Sequence, residues 1–190
     1  GAIGGALDLT GERIRHDLIR GNGLRAAAKL TDHRLELTEL RLADLAGARL
    51  TVRGSIDLPQ SSAVLTAAVE LPAIKPVLRL IGIDPPPEIE RLAPVRLSGE
   101  YQHGGATLVR AGLDARDAVA EAQVSWSKDD LDGEVTLEAS EAAELLRALG
   151  RPTPDGASRL GPPRPQGTAR RNAGPVALEL ATAIGAASIL

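Results

Sequence analysis

Apolar and polar residues alternate strictly along much of this chain, and turn residues punctuate the alternation. That pattern constrains the fold more than any other feature. Leu50, Val52, Ile56 and Leu58 share one parity, while Arg49, Thr51, Arg53 and Asp57 share the other. A period of two with one apolar side marks a half-buried strand. The same alternation runs through Leu65, Ala67, Val69 and Leu71, and again through Ala122, Val124 and Trp126. Val135 with Leu137 continues it, as does the set Val176, Leu178 and Leu180. Between these runs lie Gly21-Asn22-Gly23, Thr31-Asp32-His33, Ala46-Gly47, His103-Gly104-Gly105 and Lys128-Asp129-Asp130. Such residues tolerate the backbone angles of tight hairpins, and short connections imply antiparallel neighbours. The expected fold is mainly β: a repetitive antiparallel sheet, elongated and curved or groove-like, with two short helices.

The first helix is expected over Ile74–Ile81, with Pro76 early and Gly82 just past its end. The second is expected over Glu141–Leu149, with Ser140 as N-cap, Gly150 past the end and Pro152 beyond. Early proline and terminal glycine are the usual asymmetry. Ala142, Leu145, Leu146 and Leu149 form an apolar stripe on the second helix.

These helices expose a repeat. Leu78-Arg79-Leu80-Ile81-Gly82 resembles Leu146-Arg147-Ala148-Leu149-Gly150. Arg34–Leu42 matches Gly105–Leu113 in pattern, and in both the apolar parity switches midway. A switch of parity inside a strand predicts a bulge or bend. The spacing is about 70 residues, and repetition at a fixed period favours a stacked, elongated architecture. The expected organisation is a first β-rich unit over 1–84, a Pro-containing linker over 85–94, and a second unit over 95–150. A Pro/Gly/Arg-rich linker over 151–174 follows, and then the start of a third unit over 175–190. Pro162-Pro163-Arg164-Pro165 reads as part of that linker rather than as a PxxP ligand.

Composition narrows the fold further. Hydrophobic residues make up 43% of the 190, but aromatics only 1%, namely Tyr101 and Trp126. Large rings normally supply much of a compact core. Small aliphatic side chains suit a thin sheet better. The net charge is −3 without long like-charge runs, and stacking aromatics are lacking, so nucleic acid is not an expected partner. There are no cysteines, which excludes a disulfide framework and a Cys-based metal site. No apolar run approaches the roughly eighteen residues of a transmembrane helix. The first residues lack the basic and apolar regions of a signal peptide. The chain has no methionine and stops within the apolar run Ala186–Leu190, so it is expected to be a fragment of a longer protein.

Reactive chemistry is thin. His16, His33 and His103 are scattered and show no metal-ligand spacing. No G-x-S-x-G elbow or phosphate loop occurs. The carboxylate pairs Asp129-Asp130 and Glu88/Glu90 lie in an expected turn and beside a Pro-rich linker. No enzyme activity, cofactor or metal site is expected.

The stretch Arg34–Leu58, with its Leu alternation, its Gly47-Ala48 turn and its Gly54-Ser55 pair, resembles the AsmA-like family. So do the helix ends Leu-Arg-x-x-Gly at 78–82 and 146–150. The resemblance covers most of residues 6–150 and departs from the strand pattern over 161–174. It implies a large Gram-negative envelope protein, inner-membrane anchored, with a long periplasmic sheet whose apolar face serves phospholipid transport between membranes or outer-membrane biogenesis. The anchor would lie in parts of the parent protein absent from this chain. The implied partners are phospholipid acyl chains and envelope proteins. The residues that would line such a groove are Leu50, Val52, Ile56, Leu58, Leu65, Val69, Leu71, Val124, Trp126, Val135 and Leu137. The same residues would equally serve as a packed core. A structural module that assists outer-membrane protein assembly by offering sheet edges is the alternative function.

Overall fold

The computed structural model describes residues 4–16, 19–80, 82–128, 130–148, 150–153, 162–172, 177–184 and 187–189. Twelve strands form one sheet in which every strand pairs with its sequence neighbours. They are β1 (Gly4–His16), β2 (Ile19–Thr31), β3 (Arg34–Leu45), β4 (Ala48–Asp57), β5 (Ser62–Leu71) and β6 (Val95–Gly104). The others are β7 (Ala106–Ala115), β8 (Ala118–Trp126), β9 (Asp130–Ala139), β10 (Pro163–Asn172), β11 (Ala177–Ile184) and β12 (Ala187–Ile189). All pairings are antiparallel. The expected mainly β, antiparallel architecture is the observed one.

Turn chemistry explains the meander. Asp32 and His33, at φ 46° and 70°, close a two-residue loop between the paired residues Thr31 and Arg34. Ala46 and Gly47, at φ 51° and 88°, do the same between Leu45 and Ala48. The Asp44 carboxylate accepts the Gly47 amide at 2.7 Å there. Two consecutive positive φ values match the twist of hairpin strands.

Two short α-helices and one 3₁₀ helix interrupt the strands. α1 spans Lys75–Leu80, the 3₁₀ helix spans Pro87–Leu92 and α2 spans Ala142–Ala148. The 3₁₀ helix lies within the segment 85–94 expected as a Pro-containing linker. α1 and α2 end identically. The Gly82 amide donates to the Arg79 carbonyl and Ile83 to Leu78, while Gly150 donates to Arg147 and Arg151 to Leu146. With both glycines at positive φ, this is the closing pattern that a C-terminal glycine permits. Four strands, β6 to β9, separate the two helices. An even number of reversals returns the chain to the same end of the sheet, so both helices sit at one end.

The core follows from that placement. Ala48, Leu71, Val95, Ala115, Ala118 and Ala139 form a buried row across the ends of β4 to β9. Ile74 joins them, and Val77, Leu78, Ile89 and Leu92 pack against the cluster from the helical segments. Glu90 anchors this roof: its carboxylate oxygens accept the backbone amides of Ile74 at 3.0 Å and Lys75 at 2.7 Å. Arg91 reaches Glu144 at 3.6 Å and so ties the 3₁₀ helix to α2. No large side chain is fully buried among the described residues. The accessible surface is 12819 Å², against about 8,600 Å² for a compact monomer of this mass. The protein is a single layer with a local roof.

Several local expectations need correction. Gly21-Asn22-Gly23 lies inside β2, where Gly21 pairs with Leu45 and Asn22 with Asp44. A Cβ on Gly23, whose φ is +66°, would stand 2.8 Å from the Ala43 side chain. Glycine there serves strand approach, not a hairpin. The parity switch in β3 is a true bulge, with register shifts between Leu37 and Leu40 against β4. The matching switch in β7 is absent: Thr107, Val109, Ala111 and Leu113 keep unbroken register with β6 and β8. Leu108 therefore points away from that set. Finally, residues 163–172, expected as linker, form β10. Its prolines sit at the start of the strand, before the pairing with β9 begins at Gln166, where a missing amide costs no ladder bond to that neighbour. The expected strand residue Val176 lies outside the described residues.

Candidate functional site

Register carries one apolar face from β1 to β9. Following the paired residues from strand to strand gives successive rows. Beyond the roofed row comes Leu50, Val69, Leu97, Leu113, Ala120 and Leu137. The next row is small: Val52, Ala67, Gly99, Ala111, Ala122 and Val135. Gly54, Leu65, Tyr101, Val109, Val124 and Gly133 follow. Farthest from the helices stand Ile56, Ala63, His103, Thr107, Trp126 and Leu131. The face extends across Leu42, Leu40, Leu37 and Leu35 of β3 because the bulge around Thr38 restores the parity. It continues through Leu24 and Leu30 of β2 to Leu7 and Leu9 of β1.

Ten of the eleven expected lining residues share this face. Leu50, Val52, Ile56, Leu65 and Val124 are half-buried. Val69 and Leu137 pack against the roofed cluster, and Leu71 is inside it at 8% exposure. Trp126 and Val135 are open, at 40% and 46%. Leu58 is the exception: it falls in the turn after β4 and is 58% exposed. Leu7, at 59% exposure, and Leu9 belong to the same face, and the alternation Leu7-Asp8-Leu9 is its sequence signal.

The opposite face is charged. Cross-strand pairs include Arg49–Glu70 at 3.4 Å, Arg110–Glu100 at 3.2 Å and Arg170–Asp132 at 3.2 Å. Arg25 and Arg53 flank Glu39. Exposed pairs of this kind contribute about 0–1 kcal/mol each, but their repetition keeps this side wet. Val64, Leu108 and Val119 are apolar exceptions on it. Glu100 is held below the usual carboxylate range, first by its hydrogen bond from Gln102 and then by Arg110. A concavity of about 640 Å³ opens on this charged side, walled by Glu100, Arg110, Gln123 and Glu134.

Among the described residues no cluster of His, Asp and Glu could hold a metal. Glu90 of the Glu88/Glu90 pair is committed to the start of α1. Asp129 lies outside the described residues. Fold and face together define a class: a single-layer antiparallel meander, apolar on one side, charged on the other, and roofed at one end. No family model, curated protein or solved structure matches the chain.

Proposed function

We propose that the apolar face carries phospholipid acyl chains, and that the chain is a non-catalytic segment of an AsmA-like envelope protein. It would support phospholipid transport between membranes or outer-membrane biogenesis from the periplasmic side, with the parent protein anchored in the inner membrane. One observation carries this reading: a continuous apolar face runs from β1 to β9, and among the described residues no second layer of protein covers its middle. Each methylene moved from water onto such a surface gains about 0.8 kcal/mol, so acyl chains bind it without any reactive group. The small row Val52, Ala67, Gly99, Ala111, Ala122 and Val135 runs across the strands between rows of larger side chains. It offers a low track for movement from strand to strand, in steps of about 4.8 Å.

Photocrosslinkers at Val52, Ile56 and Val124 test the reading in the native envelope. Phospholipid adducts are expected, and protein-only adducts would sink it. A second reading has its own support. β1 is an edge strand of thirteen residues without proline, the kind of edge that accepts a further strand. Protein adducts confined to β1, with none of lipid on the face, would favour a module that assists outer-membrane protein assembly.

A further inference from the structure

The apolar face is not uniform along the strands. Its helical end is shut, with Val95 at 5% and Ala139 at 4% exposure under the roof. Its other end carries both aromatic residues of the chain, Tyr101 and Trp126, with His103 beside them. Tyr101 and His103 stack with ring centroids 6.5 Å apart. His103 Nδ1 bonds the Thr107 hydroxyl at 2.8 Å, and Thr107 pairs in register with both His103 and Trp126. The four side chains thus form one group across β6, β7 and β8. Rings with an apolar body and a polar tip settle where hydrocarbon meets water.

We infer that this rim is a head-group site: a phospholipid lies along the strands with its acyl chain toward the helical roof. Acceptor oxygens of its head group take hydrogen bonds from Tyr101 and Trp126. The inference rests on the acyl-chain reading above. The length agrees. From Trp126 to Ala120, which pairs with the roof-contacting Leu113 and Leu137, the strand runs about 20 Å. One leaflet's acyl chains occupy about 15 Å, half of the hydrocarbon core.

Trp126 is the only tryptophan and reports directly. The protein is incubated with phosphatidylcholine vesicles brominated either near the head group or near the chain terminus. It is then separated from the vesicles, and its fluorescence is read. Bromine near the head group should quench Trp126 about twice as strongly, as for a ring at head-group level. A Trp126→Phe, Ala120→Trp variant should reverse the order. Equal quenching of Trp126 by both lipids, or the reverse order in the native protein, overturns the head-group site but leaves acyl binding standing. No quenching by either lipid removes acyl binding and this inference together.

Discussion

The single-layer arrangement is tested most directly by placing one charge in two apolar positions that differ in cover. Ala143 in α2 is fully buried, whereas Val135 on β9 is 46% exposed although both belong to apolar surface. An aspartate at 143 enters a fully buried position on α2, and an unpaired buried charge costs about 3–5 kcal/mol. An aspartate at 135 stays in water. It loses the half-buried part of a valine and some strand preference, about 1–2 kcal/mol in total. Domains hold only about 5–15 kcal/mol of stability. With a urea dependence near 2 kcal/mol per molar, Ala143→Asp should lower the unfolding midpoint by roughly 2 M and Val135→Asp by less than about 1 M. Trp126 fluorescence in lipid-free protein follows both transitions. If Val135→Asp is as damaging as Ala143→Asp, the middle of the face is covered by protein in solution, and the reasoning from exposure fails. Retained stability combined with lost phospholipid crosslinking in Val135→Asp is the outcome expected of a binding surface.

Other predictions are more local. Gly54→Ala would put a Cβ 2.1 Å from the Val64 carbonyl oxygen, so a loss above about 2 kcal/mol is expected in the same denaturation assay. Gly47→Ala meets no atom within 4 Å but keeps a φ of +88°, so it should cost only about 1 kcal/mol. Glu90→Ala removes the acceptor of the Ile74 and Lys75 amides. Destabilisation by about 1–2 kcal/mol and faster hydrogen exchange at those two amides should follow, and unchanged exchange would contradict the anchoring role. Glu100 has a lowered folded pKa, so its ionised form stabilises the fold at and above the ordinary carboxylate range. That contribution disappears as pH falls through the folded value. The melting temperature of Glu100→Gln should therefore lie below wild type at neutral pH and converge with it in acid, and a gap that persists in acid would refute the assignment.

Much of this protein was legible in its residues. The period-two pattern determined β4, β5, β8 and β9 and which side of each is apolar. Leu-Arg-x-x-Gly determined both helix ends, because a glycine at positive φ closes a helix by local bonds alone. The bulge in β3 was visible as a parity switch. Local pattern failed where one composition serves two structures. Gly21 and Gly23 could close a hairpin or relieve crowding between strands, and only the register with β3 decides. Pro163 and Pro165 could belong to a linker or to the start of a strand, and the pairing of β10 with β9 and β11 decides. β7 shows the same limit, since neighbours on both sides hold it straight through its apparent switch. The site divides in the same way. Alternation places Leu71 and Val135 on the same kind of face, yet one is buried and the other open. Sequence period specifies the side of a strand, whereas cover depends on where the chain crosses back with its helices. The even count of strands between α1 and α2 puts both helices at one end and leaves Tyr101, His103 and Trp126 at the other. That contrast between ends exists only once the meander is assembled.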